Sequence, residues 1–298
     1  MSTTADHNPP SKSWTKKLMI TLGIILAVVA MLAVALPTIL HKAGLHPAYA
    51  DSKDYQLDGK KALIITTSHA VLNKPGETDG KPTGVFGSEM TVPYYEFSKA
   101  GMQVDLASIK GGEIPVDPQS FLYMVATPDD KRYQKDAEFQ AKTKNSLKID
   151  DVDFTQYDII FLAGGWGPAY DFAPSEVLGQ KISEAYYAQK TPIIGGICHG
   201  PLGLIQAKDK NGGLLIAGRR MTGVSDKQIK ELGIGYTPYH PETELRKAGV
   251  DYQSNSKFRD AFADLTVVDD EKRFVTGQNQ NAGHETAQKM MALIAEGK

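Results

Sequence analysis

The single cysteine of the sequence, Cys198, lies at the end of an apolar segment and is followed directly by His199. The spacing Gly196-x-Cys198-x-Gly200 has the form of a nucleophile elbow, a sharp turn from a strand into a helix that lifts the nucleophile above a sheet. Unpaired N–H groups at the start of that helix favour the thiolate, the reactive form of cysteine. Within so tight a turn, His199 could serve as the imidazole partner of the thiol or of a substrate oxygen. The pattern predicts a nucleophilic cysteine rather than an inert core thiol.

Two further segments carry groups that a doubly wound fold would bring to this thiol. Glu89 lies at the start of the helix after the first predicted strand, where a carboxyl group could hydrogen-bond the thiol and shuttle protons. The alternative is that Glu89 only complements the positive end of its helix. Gly164 and Gly165, followed by Trp166, could present N–H donors to a developing oxyanion, with the indole ring as a pocket wall. The alternative for these glycines is a plain turn between a strand and a helix.

Three further histidines do not indicate a metal site. His69, His240 and His284 are scattered along the chain without the spacing of metal ligands. A single cysteine also excludes an intramolecular disulfide and a zinc site of the multi-cysteine type. We therefore expect an activity that uses no metal and no organic cofactor.

Length and charge limit the classes of function. The chain has 298 residues, of which 41% are hydrophobic and 23% charged, which is enough for one α/β core with additions. Its formal net charge of -2 provides no basic field that would recruit nucleic acid. We expect a small-molecule substrate and no nucleic-acid partner.

The N-terminal region predicts a membrane segment. Residues 18–40 are apolar and uncharged, which is long enough to cross a hydrocarbon core of about 30 Å at about 1.5 Å per residue. Lys12, Lys16 and Lys17 precede the segment, so the positive-inside rule places the N-terminus in the cytoplasm and the rest of the chain on the extracytoplasmic side. The alternative is a signal peptide cleaved after Ala50, which would release a secreted domain. We favour the uncleaved anchor, because the apolar segment is longer than that of a typical signal peptide and ends well before Ala50.

The elements that must position the thiol follow after residue 59. Short apolar strands alternate with amphipathic helices, which predicts a mostly parallel sheet covered on both faces, with ligands at the carboxyl ends of the strands. A polar segment, 123–153, is predicted to be a helical excursion on the surface. The predicted strands are 62–66, 102–107, 158–163, 192–197, 265–268 and 273–276, and the predicted helices are 88–100, 175–189 and 282–295. The predicted organisation is a cytoplasmic tail at 1–17, a transmembrane anchor at 18–40, a linker at 41–58 and a catalytic domain at 59–298.

Taken together, these residues resemble the ThiJ/PfpI superfamily, which is related in fold to class I glutamine amidotransferase domains. The resemblance covers nearly the whole segment after residue 59 and is strongest to the branch of heat-shock chaperones with glyoxalase III activity. The matching motifs are Thr66-Thr67-Ser68-His69, Thr83-Gly84-Val85-Phe86 with Glu89, Pro93-Tyr94-Tyr95-Glu96-Phe97, Ala107-Ser108, Gly111-Gly112, Pro115, Asp117-Pro118, Gly164-Gly165, Cys198-His199-Gly200-Pro201, Gly218-Arg219-Arg220-Met221-Thr222-Gly223 and Thr276-Gly277-Gln278-Asn279.

The resemblance implies a flavodoxin-like, doubly wound α/β domain. It implies that Cys198 is the nucleophile, Glu89 its hydrogen-bonded acid and base, and His199 the neighbouring imidazole. The amides of Gly165 and His199 would form the oxyanion site. Relatives often form dimers, so a homodimer is a further expectation.

Two positions depart from the pattern of this branch. Relatives commonly have Gly-Gly-His-Gly where this chain places Trp166 after its two glycines, which would change substrate choice. Relatives also carry an acidic residue that orients the histidine, and the expected position is Ile229 here, which cannot accept a hydrogen bond. Asp226 and Glu231 are the nearby substitutes. We expect Asp226 to take this role, and the alternative is that it only caps a helix.

The predicted activity is that of a glyoxalase III-like lyase of the D-lactate dehydratase type. The thiolate of Cys198 would add to the aldehyde of methylglyoxal or glyoxal, and Glu89 and His199 would then move a proton to give a 2-hydroxy acid. One alternative is a membrane-tethered stress chaperone or redox sensor with an accessible, oxidisable Cys198. Another is an amidase or peptidase, because a cysteine–histidine pair with an oxyanion site also suits acyl transfer.

Overall fold

A computed structural model of the chain describes residues 12–297, so residues 1–11 of the predicted tail lie outside the described residues. The chain divides between Ala43 and Gly44 into two compact units. The second unit begins earlier than the predicted boundary at residue 59, because the preceding segment packs onto it. Leu57, for example, is buried and its N–H donates to the Ala100 carbonyl at 2.7 Å.

In the described part of the first unit an apolar helix, α1, runs from Lys12 to Lys42 and so extends beyond the predicted span at both ends. Within Trp14–Lys42 an 18-residue window reaches a mean hydropathy of 2.8. Most of its large apolar side chains are exposed, with Met31 and Val34 each 71% exposed. Among the described residues it is the one helix long and apolar enough to cross a membrane, a property that signal sequences share.

The second unit is built on a seven-stranded sheet. The strands of the chain are β1 Lys61–Thr66, β2 Val71–Leu72, β3 Lys81–Pro82, β4 Gln103–Ser108, β5 Leu147–Lys148, β6 Ile159–Leu162, β7 Ile193–Ile197, β8 Arg220–Met221, β9 Asp251–Tyr252, β10 Thr266–Val268 and β11 Phe274–Gly277. The main sheet has the order β10-β11-β7-β6-β1-β4-β5, and its strands pair in parallel except for the antiparallel ribbon of β10 and β11. The pairs β2–β3 and β8–β9 form two small separate sheets.

Helices cover both faces of this sheet. They are α2 Gly87–Lys99, α3 Pro128–Tyr133, α4 Ala137–Lys144, α5 Pro168–Asp171, α6 Glu176–Tyr186, α7 Asp226–Glu231, α8 Pro241–Lys247 and α9 Gly283–Ala295. Successive side chains of a strand point to opposite faces, and in β1 Leu63 joins one buried cluster while Ile64 joins another. The first cluster includes Ile182 of α6, and the second includes Phe97 of α2 and Met290 of α9. The predicted flavodoxin-like α/β fold with a mostly parallel sheet is therefore confirmed.

The segment 123–153 contains the predicted helices, α3 and α4, but it is not only a surface excursion. Phe139 of α4 is fully buried and its ring stacks on Tyr94 of α2, with the ring centroids 3.6 Å apart. The same segment supplies β5, which pairs with β4 and extends the sheet at its edge. The surface prediction was wrong because a few apolar side chains within this polar segment, Phe139, Ile149 and Val152, are buried in the core.

Candidate active site

Cys198 occupies a strained turn at the carboxyl end of β7. Its φ angle is 59°, which places a non-glycine residue in the left-handed region. Two backbone hydrogen bonds hold this conformation, from Cys198 N–H to the Gly277 carbonyl and from Val224 N–H to the Cys198 carbonyl, each 3.0 Å long. Such a conformation persists only where the surroundings determine it, as at a nucleophile elbow. The backbone of the predicted elbow is therefore present.

The electrostatic setting of the thiol differs from the sequence expectation. The segment after the elbow is a five-residue 3-10 helix, Gly200–Leu204, and Cys198 is only 7% exposed. Burial raises the pKa of the thiol well above its ordinary value, while the N–H groups of Gly165 and His199 act in the opposite direction. The N–H of His199 at the helix start does lower the pKa of the thiol, as the sequence analysis expects, but burial has the larger effect and the balance favours the neutral thiol.

Glu89 lies beside the thiol, in the first turn of α2. The helix start is held by the Gly87 N–H, which donates to Ser120 Oγ at 2.7 Å, and by the Phe86 N–H, which donates to the Gly164 carbonyl at 3.3 Å. The carboxyl group is fully buried and shares a hydrogen bond with Cys198. Burial raises the pKa of Glu89 to about 8, so the carboxyl group is protonated at neutral pH.

The glycine loop after β6 packs its backbone closely against both the Glu89 carboxyl group and Cys198. A Cβ atom on Gly164 would lie 2.8 Å from the Cβ of Cys198 and would collide with Oε2 of Glu89. Gly165 has a φ angle of 97°, and its N–H interacts with both the Glu89 carboxyl and the Cys198 sulfur. Glycine is required at Gly164 because the loop approaches the two reactive groups so closely, and at Gly165 because its φ angle is positive and a Cβ there would collide with the backbone of Phe86.

His199 faces the sulfur from the other side of the turn. Its Nδ1 atom is 3.4 Å from Cys198 Sγ, so adjacent side chains do meet here. Burial lowers the pKa of His199 to about 3, which keeps the imidazole neutral at neutral pH. Its Nε2 atom is buried and has no hydrogen-bond partner among the described residues.

The pocket wall beside the thiol is apolar. Cys198 forms a small buried cluster with Val224 and Ile229, and Trp166 packs against it. The indole of Trp166 lies with its ring centroid 5.0 Å from that of His199, at an interplanar angle of 57°. The position at which the resemblance implies an acid is thus occupied by a buried Ile229, in contact with the site.

Asp226 does not contact His199. Its Oδ2 atom accepts a hydrogen bond from Thr243 Oγ1 at 2.7 Å, and its Oδ1 atom is 3.9 Å from Nδ1 of His240. Glu231 is also engaged elsewhere, since its Oε2 accepts the Asp260 N–H at 2.8 Å. The expectation that Asp226 orients His199 directly was wrong, because both candidate acids point to neighbours outside the thiol site.

His240 is the residue that the sequence analysis missed. It directly precedes α8, and the proximity of its imidazole to His199 contributes to the lowered pKa of His199. The Nε2 atom of His240 is buried without a hydrogen-bond partner among the described residues. The one available signal was its position before Pro241 at a helix start, where histidine is not a preferred cap. No group of three or more histidine, cysteine or acidic side chains is arranged to hold a metal ion in the described part of the chain.

Comparison with known proteins shows a consistent set of relatives. Residues 83–293 match the DJ-1/PfpI family. The chain is 33% identical to glyoxalase 3 of Candida albicans, over 78% of this chain and 98% of that protein. It is 30% identical to a glutathione-independent glyoxalase of Saccharomyces cerevisiae, over 76% of this chain and 95% of that protein.

Solved structures agree with this result. The rapid encystment protein of Francisella tularensis superposes with a TM-score of 0.70 at 32% identity, over 78% of this chain and 98% of that one. The crystal structure of glyoxalase III from Candida albicans superposes with a TM-score of 0.68 at 29% identity, over 78% of this chain and 96% of that one. These matches cover nearly all of each relative and about three quarters of this chain, so the likeness is not confined to one motif.

Proposed function

We propose that this chain, which belongs to the DJ-1/PfpI family, is a glutathione-independent glyoxalase of the glyoxalase III type. Its proposed substrates are small 2-oxoaldehydes such as methylglyoxal and glyoxal. The observation that carries the proposal is that the protonated carboxyl group of Glu89 and the neutral imidazole of His199 both lie beside the thiol of Cys198. The names of the relatives support the same chemistry.

The first step is addition of the thiol to the aldehyde carbon. The sulfur of Cys198 bonds to C1 of the substrate, its proton passes to His199 Nδ1 at 3.4 Å, and the carbonyl oxygen takes a proton to give a hemithioacetal. The protonated Glu89 carboxyl supplies that proton, and the amides of Gly165 and His199 stabilise the developing negative charge.

The second step moves hydrogen from C1 to C2. With its proton given up, the Glu89 carboxylate removes the C1 proton, and the electron pair of the C–H bond forms an enediolate. Glu89 then returns this proton to C2, while protonated His199 moves the C1 hydroxyl proton to the oxygen on C2, which leaves a carbonyl group at C1. The product is a thioester of the 2-hydroxy acid on Cys198. Water then attacks the thioester carbonyl and gives one proton to the Glu89 carboxylate. The C–S bond breaks, the sulfur takes back its proton from His199, and the acid leaves. Every proton is carried by a side chain of this chain, so the sequence of steps needs no cofactor.

The alternatives from the sequence receive less support. A redox sensor requires an accessible thiol of low pKa, whereas Cys198 is buried and its pKa is raised. An amidase or peptidase requires room for a chain on both sides of the scissile bond. The apolar cluster of Val224, Ile229 and Trp166 around the thiol instead favours a compact substrate.

The product of the full-length protein tests this proposal. Methylglyoxal and glyoxal, supplied without glutathione, should yield lactate and glycolate, while a panel of amides and peptides should remain intact. Cleavage of the amides with untouched dicarbonyls would overturn the proposal in favour of a hydrolase.

We also propose that α1 anchors this enzyme in a membrane, with the second unit on the extracytoplasmic side. The support is the length and hydropathy of Trp14–Lys42 and the lysines that precede the apolar stretch. A homodimer, which the resemblance implies, is part of the same proposal and is tested by light scattering of the detergent-solubilised protein.

A further inference from the structure

The imidazole of His199 lacks the support that a proton-transferring histidine needs. Its Nδ1 atom faces the sulfur, so the other ring nitrogen must be held by a second group to fix the ring orientation and the tautomer. That nitrogen, Nε2, is buried and unpaired among the described residues. Ile229, at the position where the resemblance implies an acid, cannot supply the missing contact.

Three unpaired buried atoms lie in the adjoining region. They are Nε2 of His199, Nε2 of His240 and Oδ1 of Asp226. The segments that carry the two imidazoles meet at Gly223, where a Cβ atom would lie 3.0 Å from both the Cys198 carbonyl oxygen and the Cβ of Pro241. A charge on His240 accordingly disfavours a charge on His199. Asp226 Oδ1 lies 3.9 Å from Nδ1 of His240. Buried polar atoms are normally paired, so a connected group of unpaired ones calls for an explanation.

We propose that His240, backed by Asp226, is the positioning residue for His199 and replaces the acid that is missing at Ile229. This inference rests on the proposed glyoxalase function and adds to it a residue outside the thiol, carboxyl and oxyanion groups. His240 acts on the ring nitrogen of His199 that faces away from the sulfur, through a small side-chain movement or one bridging oxygen. Asp226 holds the opposite nitrogen of His240.

The proton inventory of this arrangement is consistent. In the resting state the Cys198 thiol donates to Nδ1 of His199, so the neutral ring carries its proton on Nε2. That N–H is a donor toward Nε2 of His240, which must then carry its own proton on Nδ1, on the side of Asp226. When His199 accepts the thiol proton, the new positive charge is stabilised by the lone pair of His240 and the carboxylate behind it.

Steady-state kinetics of full-length variants test the proposal. His240→Leu should lower kcat by about tenfold to a hundredfold with little change in KM, because a partner of a buried proton-transferring group is lost. His240→Asn, whose amide oxygen can accept the hydrogen bond from the His199 Nε2–H, should recover much of that loss. In a double-mutant cycle, Asp226→Asn should add little to His240→Leu, because both act along one path. His284→Asn, which alters a histidine bonded to Glu96 on α2, should leave kcat unchanged.

A second measurement separates failure of this inference from failure of the proposed activity. The rate of Cys198 alkylation by iodoacetamide reports the positioning of His199 without any turnover. His240→Leu should slow alkylation several-fold and His240→Asn should not. An unchanged alkylation rate in His240→Leu would overturn the inference. An equal loss of alkylation rate in the Leu and Asn variants, accompanied by a lowered melting temperature, would also overturn it, because it would mark a purely structural role for His240.

Discussion

The chemistry of the site depends on where two protons reside. Burial raises the pKa of both Glu89 and Cys198, so the pair enters the reaction protonated and carries no buried charge. His199 stays neutral because burial lowers its pKa. Each group can therefore exchange a proton with the substrate without first leaving an uncompensated charge in the core. In the proposed mechanism the carboxyl group of Glu89 acts first as an acid and then as a base.

The Glu89→Gln variant tests this proton inventory. The amide keeps the size and the hydrogen bond of the protonated carboxyl but cannot exchange its proton, so kcat for dicarbonyl conversion should fall by about 10²- to 10⁴-fold. The fold should be retained, because no buried charge is added or removed. Glu96→Gln on the same helix is the matched control, since its carboxylate bonds His284 and Gln288 away from the thiol. Equal activity of Glu89→Gln and wild type would rule out the acid and base role.

The raised pKa of Glu89 also predicts a pH dependence of stability. The folded state keeps the proton up to about pH 8, whereas the unfolded state releases it near the ordinary pKa of 4.5. Between these values the folded state binds more protons, so the free energy of unfolding should fall as pH rises. Relative to Glu89→Gln, wild type should lose stability from about pH 4.5 to about pH 8 and change little beyond. Urea unfolding of both proteins in detergent across this range measures the difference, and a constant difference would contradict the prediction.

At the residue scale, what the sequence could predict followed from local pattern. Cys198 and His199 could be identified from the spacing of the glycines around them, and Glu89 from its position at a helix start. Both signals lie within a few neighbouring residues of the sequence. The burial of the thiol was not, because Val224 and Ile229 reach it from another part of the chain. His240 was missed for the same reason, since its importance comes from a neighbour far away in the sequence.

At the scale of elements, the site is assembled from the ends of parallel strands. The loops after β6 and β7 carry the glycines and the thiol. The segment after β1, which contains the short strands β2 and β3, leads to α2 and Glu89. The predicted strands agree with the observed ones within one or two residues, because buried apolar runs bounded by turn residues are a strong local signal. The burial of the segment 123–153 was harder to predict, because it depends on contacts with distant residues, such as that of Phe139 with Tyr94.

The glycine loop after β6 supplies a test at this scale. Gly164→Ala would force the new methyl group against the Cβ of Cys198, 2.8 Å away, and against the Glu89 carboxyl. Overpacking of this kind typically costs about 1–3 kcal/mol, and we expect a lowered melting temperature with at least a tenfold loss of kcat. Gly235→Ala is the control, because a Cβ there meets no heavy atom within 4 Å. Wild-type activity in Gly164→Ala would show that the close approach of the loop is unimportant.

At the scale of the whole molecule, an apolar helix and an α/β enzyme share one chain. A membrane anchor would restrict the enzyme to reactive carbonyls on one side of a bilayer. We expect the full-length protein to resist extraction from membranes by alkaline carbonate and to retain residues before Asp51. A protease added outside intact cells or spheroplasts should reach the second unit. Release by carbonate with a new N-terminus at Asp51 would instead establish a cleaved signal peptide.

The most direct test of the account is the initial rate of lactate formation from methylglyoxal, without glutathione, by full-length wild type and Cys198→Ala. The account predicts steady lactate production by wild type and none above the uncatalysed rate by the variant, because the variant lacks the atom that bonds to the substrate. Circular dichroism of both proteins should show the same fold. Equal rates for the two proteins would contradict the central claim that Cys198 is the nucleophile.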